Sequence, residues 1–484
     1  MKTLKKIFPW MALLCLLGGL YSCDDDCGCD PVISYIIPAN ASKDSLIVGA
    51  NAEEYIIIVG ENLSRVVQVW FDNVPSEELN PNYMSDNYII LKIPEISSST
   101  RNITLITIDG RRLTKVFDVS IPKPVISMFY SEFVPAGGTL RVKGKYFFAP
   151  KVSFLNEENG TEVFVNESDV EVVGSTELKI VVPASVGINQ QVVVETASGK
   201  SASKILFRDR RNMIIDFSYD YPAMDAHTLI QDWDNNSCSW DPAFDIYEGD
   251  LFFPESGCDD NFFGQINKPS YGDHGTLIAY DATRVGKSLR NLFGEWVTAN
   301  IDDMVLKFEV NVSPQYPVNG LNATIYITPD NFGGVEITDY GRFLTGKEDG
   351  TCVPGAFWTP YEINFNKSEP DNWEIVNSSY CKKDFSTEGW MTVAIPLSEF
   401  KWSIIRMDLL TGPFHVYGTT TPNTVAYIDR LDPAKCYSFA FILDPATRRQ
   451  KGGDAFIYFD NFRIVPDDGN GAVFDKYGQR KRYY

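Results

Sequence analysis

Two segments of the chain share one pattern, Tyr55-Ile-Ile-Ile-Val-Gly60-Glu-Asn-Leu63 and Gly138-Thr-Leu-Arg-Val-Lys-Gly144-Lys-Tyr-Phe147. In each segment a short run with several β-branched residues reaches a glycine, and a large apolar residue follows three positions later. Runs of this length, bounded by glycine, proline and asparagine, are typical of β-strands and hold no helical period. The pattern therefore predicts β-structure, and its repetition predicts two similar domains.

The two copies each extend over roughly ninety residues. The first opens with Pro31-Val-Ile-Ser34 and the second with Pro124-Val-Ile-Ser127, 93 residues later, while the two central glycines are 84 residues apart. This repeat predicts two tandem β-sandwiches with boundaries at 31–121 and 122–206. Because Pro122-Lys-Pro124 makes a stiff, extended connection, we expect the pair to act as a spacer.

These landmarks resemble the IPT/TIG family of immunoglobulin-like domains. The family pattern has an opening proline-isoleucine strand, a central glycine-x-asparagine-leucine turn and a closing isoleucine-x-valine-proline strand. The first copy matches the turn with Gly60-Glu-Asn-Leu63, whereas the second has Gly144-Lys-Tyr-Phe147 in its place. The resemblance implies an immunoglobulin-like sandwich for both copies.

The charge composition limits the possible partners. The chain carries 43 Lys and Arg against 64 Asp and Glu, a net charge of −21. Such a surface repels the phosphate backbone whose neutralisation dominates nucleic-acid affinity. Three histidines in 484 residues also leave little material for a histidine-built metal or proton-transfer site. We therefore expect no nucleic-acid partner.

Residues 1–22 have the features of a bacterial export signal. Lysines at positions 2, 5 and 6 precede an apolar run, Met11 to Leu20, that is too short to span a bilayer. The next residues, Leu20-Tyr-Ser-Cys23, resemble a lipobox, the site at which bacterial signal peptidase cleaves before a lipid-carrying cysteine. The resemblance implies a lipoprotein signal peptide at 1–22 and lipidation of Cys23.

The tether that follows, residues 23–30, is acidic. Its cluster Asp24-Asp-Asp26 resembles the surface-export signal of Bacteroidetes lipoproteins. The resemblance implies a lipid-anchored protein of the outer membrane that faces the cell exterior. A solvated acidic linker in a periplasmic lipoprotein is the alternative.

Residues 207–484 differ from the repeats in composition. Aromatic residues number 45 among the 277 residues from 208 to 484, against 16 among the 184 from 24 to 207. Long loops rich in Trp, Gly, Pro and Asn separate strand-like runs at Met304–Val310, Ala323–Thr328, Trp390–Pro396, Ser438–Leu443 and Ala455–Ile464. This arrangement is typical of a large jelly-roll-like β-sandwich. The predicted fold class is therefore all-β: two tandem immunoglobulin-like sandwiches followed by this domain.

The aromatic residues of this domain divide into core and surface candidates. We expect most of those in strand-like runs to be core: Phe308, Tyr326, Trp390, Phe439, Phe441, Phe456, Tyr458 and Phe462. The strongest surface candidate is Gly355-Ala-Phe357-Trp358-Thr-Pro-Tyr361-Glu362, which places three aromatics in five residues beside a proline. Flat rings held at a fixed angle match the apolar C–H face of a pyranose ring. The composition therefore predicts a carbohydrate-binding surface.

Taken as an architecture, the chain resembles the B-type surface glycan-binding proteins of Bacteroidetes polysaccharide utilisation loci, with a xyloglucan-binding type of C-terminal domain. The resemblance rests on the lipobox cysteine, the IPT/TIG repeats, the Phe357-Trp358 segment and a final strand Tyr458-Phe-Asp-Asn-Phe-Arg-Ile464. It implies that Phe357 and Trp358 belong to the glycan platform. Four further candidates rest on local composition alone, namely Trp296, Phe332, Tyr361 and Trp373.

The resemblance also implies a function. We expect a non-catalytic protein that binds a β-glucan-like plant polysaccharide, such as xyloglucan or mixed-linkage glucan, and hands it to surface hydrolases and an outer-membrane transporter. The implied partners are a TonB-dependent transporter and a SusD-like protein. A surface adhesin for a protein partner and a glycoside hydrolase are the alternatives, and the hydrolase would need two carboxylates about 5 to 9 Å apart.

No cofactor is expected. A structural calcium is the one metal considered, with oxygen ligands from Asp460 and Asn461 or from the segment Asp232-Trp-Asp-Asn-Asn236. Neither group has the spacing of a helix-loop-helix calcium loop.

Overall fold

A computed structural model of the chain describes residues 30–39, 46–215, 300–315, 384–400 and 457–474, with shorter segments at 228–231, 264–266, 276–280, 289, 317–319, 323–328, 356–358, 363–365, 373–375, 402–406, 424–427, 431, 438–443 and 480–482. Nearly all regular structure in these residues is β-strand. Short 3-10 turns occur at Leu63–Arg65, Pro81–Tyr83, Glu167–Asp169, Ile301–Asp303 and Leu397–Glu399. The predicted all-β class is confirmed.

The chain divides into two compact units, Met1–Pro122 and Lys123–Tyr484. The first unit contains strands β1 (Val32–Pro38), β2 (Gly49–Asn51), β3 (Tyr55–Glu61), β4 (Val66–Phe71), β5 (Val74–Pro75), β6 (Tyr88–Lys92), β7 (Thr100–Thr107) and β8 (Arg112–Ser120). They form a three-stranded sheet in the order β1-β3-β6 and a five-stranded sheet in the order β2-β8-β7-β4-β5. Alternate apolar residues such as Ile56, Ile58, Leu105 and Phe117 are buried in one shared core. This unit is the first predicted sandwich.

The second sandwich begins the second unit. Its strands are β9 (Val125–Phe129), β10 (Thr139–Lys145), β11 (Lys151–Asn156), β12 (Thr161–Phe164), β13 (Val170–Val173), β14 (Glu177–Val181), β15 (Gln190–Thr196) and β16 (Gly199–Phe207). Two four-stranded sheets, β13-β14-β10-β9 and β12-β11-β15-β16, enclose a core that includes Leu140, Ile180 and the ring pair Phe154–Phe207. The repeat therefore folds as two sandwiches of the same kind.

The repeated glycine has a steric cause. A Cβ at Gly60 would lie 1.7 Å from the backbone oxygen of Val32, and one at Gly144 would lie 1.9 Å from that of Val125. In both sandwiches this oxygen belongs to the opening strand, which pairs with the strand that carries the glycine. Only glycine allows so close an approach of two backbones.

The C-terminal domain is a sandwich of two seven-stranded sheets. Sheet 1 has the order β17-β32-β21-β28-β33-β34, with β19 also paired to β32, and sheet 2 has the order β18-β20-β31-β23-β24-β29-β30. The strands are β17 (Met213–Ile215), β18 (Thr228–Gln231), β19 (Gly264–Ile266), β20 (Thr276–Tyr280), β21 (Met304–Asn311), β22 (Val318–Asn319), β23 (Ala323–Thr328), β24 (Ala356–Trp358), β25 (Ile363–Phe365), β26 (Trp373–Ile375), β27 (Asp384–Phe385), β28 (Met391–Pro396), β29 (Trp402–Arg406), β30 (Thr424–Tyr427), β31 (Ser438–Leu443), β32 (Ile457–Pro466), β33 (Ala472–Phe474) and β34 (Arg480–Arg482). All five predicted strands are present, with ends shifted by at most two residues.

The core between the two sheets is aromatic. The ring of Phe308 in sheet 1 stacks on Phe462 at 5.0 Å and meets the edge of Phe441 from sheet 2 at 5.6 Å. Phe439 of sheet 2 lies 5.8 Å from Phe462, and Tyr458 is also buried. All five residues are buried as predicted, with Tyr458 on the opposite face of β32 from Phe459, whose ring joins the core between the sheets.

The second sandwich packs against the C-terminal domain within the Lys123–Tyr484 unit. The Thr392 N–H donates to the backbone carbonyl oxygen of Tyr130 at 2.9 Å, and the Phe129 N–H donates to Asn470 Oδ1 at 2.9 Å. The second sandwich therefore packs directly on the domain that follows it, and the spacer role of the pair stays a prediction.

Several predicted features lie outside the described residues, including the signal segment, Cys23 and the acidic tether. Within the part of the chain that is described, no helix has the length and hydropathy needed to cross a bilayer.

Candidate functional site

The register of sheet 2 assigns residues to its two faces. Ile325 of β23 pairs with Phe441 of β31, and both are fully buried. Phe441 faces sheet 1, because its ring contacts Phe308 there. Directly opposed residues share a face and successive residues alternate, so Tyr326 lies on the outer face of sheet 2.

Four aromatic positions form one line across this outer face. Tyr326 pairs with Phe357 of β24, Phe357 with Trp402 of β29, and Trp402 with Tyr427 of β30. We call these four residues the outer aromatic row. Adjacent strands lie about 4.8 Å apart, so the row extends about 14 Å from the first strand to the fourth.

Small residues continue the line beyond Tyr326. It pairs with Ala440 of β31, which pairs in turn with Ala279 of β20. The register line of four aromatic positions thus continues into two alanine positions.

The register separates the two adjacent aromatics that the family resemblance assigns to the platform. Phe357 lies on the outer face, whereas Trp358, the last residue of β24, pairs with the buried Ile325 and belongs to the inner face. Successive residues of one strand cannot both belong to the same face of a regular sheet.

The other predicted site residues are placed only in part. Trp373 begins β26, which pairs with β25 in a separate two-stranded sheet, and Trp373 is the partner of Phe365. β26 also approaches β30, the strand that carries Tyr427. Trp296, Phe332 and Tyr361 lie outside the described residues.

Sequence reasoning placed Tyr326 in the core and gave Trp402 and Tyr427 no defined role in a site. A local signal existed for the first, because Thr324-Ile-Tyr-Ile-Thr328 alternates and places Tyr326 opposite to both isoleucines. No local signal exists for the row itself, since its members come from strands separated by many residues.

The two fully buried glutamates among the described residues are not arranged for hydrolysis of a polymer. Glu132 and Glu309 are fully buried against Lys307 and Arg463, on the outer side of sheet 1 and beneath the second sandwich. Buried pairs of this kind hold structure together and offer no access to a polymer. These two carboxyl groups, whose pKa values are shifted by burial and neighbouring charges, therefore lie on sheet 1 and away from the outer aromatic row on sheet 2.

No cluster of acidic, histidine or cysteine residues within the described part of the chain supports the predicted calcium site. Asp460 and Asn461 are buried within β32, and the Asp232–Asn236 segment lies outside the described residues. In the described ranges, no group of three or more His, Cys, Asp or Glu residues could hold a metal ion.

The C-terminal domain is thus a two-sheet β-sandwich with a line of aromatic positions across one face, an arrangement that suits carbohydrate binding. Residues 207–466 match the family described as surface glycan-binding protein B xyloglucan binding domain, and residues 39–121 match a TIG domain. The chain belongs to this family of surface glycan-binding proteins. It is accordingly a glycan-binding protein of the cell surface and not an enzyme.

Three solved structures illustrate what the chain is similar to. The surface glycan-binding protein PbSGBP-B from Prevotella bryantii is 19% identical, with 90% of this chain and 99% of that chain covered and a TM-score of 0.49. SGBP-B from a complex xyloglucan utilization locus in Bacteroides uniformis is 15% identical, with coverages of 91% and 100% and a TM-score of 0.37. SGBP-B from the Bacteroides ovatus mixed-linkage glucan utilization locus, in complex with a mixed-linkage heptasaccharide, is 10% identical, with coverages of 87% and 73% and a TM-score of 0.23. No curated protein sequence matches the chain.

Proposed function

We propose that this protein binds a β-glucan-like plant polysaccharide, such as xyloglucan or mixed-linkage glucan, on the outer aromatic row. The observation that carries the proposal is the in-register placement of Tyr326, Phe357, Trp402 and Tyr427 on four consecutive strands. Trp296, Phe332, Tyr361 and Trp373 remain predictions for the same site, and Trp358 remains a prediction that rests on the family resemblance alone. The relatives from xyloglucan and mixed-linkage glucan loci support this choice of ligand class.

The expected strength of binding follows from ring stacking. A ring that buries about 80 Å² of apolar surface contributes roughly 2 kcal/mol, and three such rings about 6 kcal/mol. Association and ordering costs of several kcal/mol leave a Kd between about micromolar and millimolar. Weak sites of this kind suit a long polymer that offers many repeats.

The test is affinity electrophoresis of residues 24–484 through gels that contain xyloglucan, mixed-linkage β-glucan, glucomannan or xylan, with release of reducing ends assayed on the same mixtures. We expect retardation by one or two β-glucans and no new reducing ends. Free migration in every gel would contradict the proposed ligand class and favour a protein partner. New reducing ends would indicate a hydrolase.

We further propose that Cys23 carries a lipid anchor and that the acidic tether at 23–30 directs the protein to the outer face of the outer membrane. There the captured polymer would pass to surface hydrolases, a SusD-like protein and a TonB-dependent transporter. The lipobox-like sequence before Cys23 supports the anchor, and membership of a surface glycan-binding family supports the location.

Replacing Cys23 by alanine tests the anchor directly. We expect Cys23→Ala to move the protein from the membrane fraction to the soluble fraction of the cell, because a lipid chain contributes about 0.8 kcal/mol per buried CH₂ and alanine cannot carry one. Cys27→Ala, four residues further on, is the matched control and should stay in the membrane fraction. Equal behaviour of the two variants would contradict lipidation of Cys23.

A further inference from the structure

The second sandwich covers the outer face of sheet 1. Lys307 and Glu309 flank the core residue Phe308 on β21, so alternation places both on the outer face, where polar residues would ordinarily meet water. Both are fully buried instead, because Glu132 and its neighbours, which follow β9, lie against them.

Glu132 is the centre of a buried ionic network. Its Oε1 lies 2.5 Å from Lys307 Nζ and accepts from Asn470 Nδ2 at 2.8 Å, and its Oε2 accepts from Arg463 Nη2 at 2.7 Å. Lys307 Nζ also donates to Asp468 Oδ1 at 2.7 Å. Glu132 comes from the second sandwich and every partner named here from the C-terminal domain, so the network joins the two.

A second carboxyl group, Glu309, completes the network. Its Oε1 accepts from Arg463 Nη2 at 3.0 Å, and the Thr392 hydroxyl lies 2.8 Å from its Oε2. Ser131 Oγ lies 2.9 Å from the same Oε2 and 2.7 Å from the Phe133 carbonyl oxygen. The Ser131 hydroxyl has one hydrogen and two acceptors to satisfy if Glu309 is ionised.

One proton resolves this conflict. If Glu309 carries it on Oε2, that group donates to Ser131 Oγ, and the Ser131 hydroxyl donates to the Phe133 oxygen. Burial and the charge on Glu132 raise the pKa of Asp468, and its contact with Lys307 opposes this. With Asp468 ionised the charge balance agrees, because Lys307 and Arg463 then face Glu132 and Asp468 as two cations and two anions. An ionised Glu309 would leave an uncompensated negative charge in a fully buried site, which is costly.

A further charged pair lies nearby. Asp209 is fully buried, and both of its carboxylate oxygens accept from Arg211 at 2.9 Å, so this pair is neutral by itself. Arg463 also lies over the Phe133 ring at 4.7 Å, which adds a cation–π contact across the same interface.

We propose that the second sandwich and the C-terminal glycan-binding domain form one obligate folding unit, joined by a charge-neutral buried network in which Glu132 is ionised and Glu309 is protonated at neutral pH. The second sandwich is thus part of the structure that presents the outer aromatic row. It covers sheet 1, and the row lies on the far side of the same domain, on sheet 2.

The electrostatic environment of the two carboxyl groups supports this assignment. Burial raises the pKa of Glu309, and the neighbouring charge on Glu132 raises it further against the opposing effect of Arg463. Burial would also raise the pKa of Glu132, but Lys307 and Arg463 outweigh it and lower this pKa to about 2.

Two isosteric substitutions in residues 24–484 test the proposal by calorimetry at pH 7. Glu309→Gln keeps the shape and the hydrogen bonds of a neutral acid, so we expect its Tm to stay within about 2 °C of the parent. Glu132→Gln removes the charge that compensates Lys307 and Arg463, and we expect the transition of the Lys123–Tyr484 unit to fall by about 5–10 °C. Glu171→Gln, at an exposed pair with Lys179, is the matched control and should change Tm by about 1 °C or less.

Infrared spectroscopy reports the protonation state of the Glu309 carboxyl group directly, which a melting temperature does not. The parent protein should show the carbonyl band of a buried protonated carboxyl group at pH 7, and Glu309→Gln should lack it. Absence of this band from the parent, or an equal loss of Tm in Glu309→Gln and Glu132→Gln, would overturn the protonated state. Separate transitions for the second sandwich and the C-terminal domain would overturn the single folding unit.

Discussion

Replacing either Trp402 or Phe357 by alanine is expected to weaken β-glucan binding about 30-fold while leaving Tm unchanged, since each ring of the platform contributes roughly 2 kcal/mol. Both positions belong to the outer aromatic row, and they are direct partners across β24 and β29. Because both would stack on the same bound chain, the double variant should lose less than the sum of the single losses. Isothermal titration calorimetry with an oligosaccharide and affinity electrophoresis with the polymer measure the change.

Two further alanine variants make this prediction specific. Phe164→Ala is the matched control, because Phe164 is an aromatic residue of the second sandwich that is 69% exposed, and we expect its affinity to equal that of the parent. Trp358→Ala distinguishes the register from the family resemblance. Pairing with the buried Ile325 predicts that Trp358→Ala lowers Tm, as large-to-small changes in a core do.

The opposite result would be equally informative. If Trp358→Ala abolished binding at an unchanged Tm while Trp402→Ala bound normally, the platform would lie at the end of β24 and not along the outer aromatic row. If Phe164→Ala also weakened binding, part of the site would belong to the second sandwich.

Removal of the second sandwich is expected to have the other large effect. A fragment of residues 207–484 should melt at least about 10 °C below a fragment of residues 123–484, or fail to fold. The shorter fragment loses Glu132 and the buried contact of Phe133 with Met213. It also loses the hydrogen bond that Arg208 Nη2 donates to the Val134 carbonyl oxygen at 2.7 Å. That last contact holds the segment that leads into β17, a strand of sheet 1.

The control for this truncation is the loss of the first sandwich alone. Residues 123–484 should keep both the Tm of their unit in residues 24–484 and the affinity for glycan, because Met1–Pro122 is a separate compact unit. Circular dichroism melts and calorimetry of the three proteins measure the difference. A fragment of residues 207–484 that matched the Tm of residues 123–484 would show that the buried network contributes little to stability.

Local sequence determined much of this protein. Alternation of apolar residues predicted the strands of both sandwiches and the five strand-like runs of the C-terminal domain, because a strand with a buried face repeats every two residues. The same alternation identified Phe308, Phe439, Phe441 and Phe462 as core. The repeated glycine at positions 60 and 144 was also visible in the sequence, although its cause, the close approach of the paired opening strand, is a contact between strands.

Tertiary structure alone decided which residues meet across strands and what covers each face. The outer aromatic row joins Tyr326 to Tyr427, 101 residues apart in the chain, through pairings that no local pattern encodes. Lys307, Glu309 and Arg463 occupy polar positions that alternation assigns to the solvent face. The second sandwich covers that face and buries them, because alternation defines two faces of a strand but not what packs on either one.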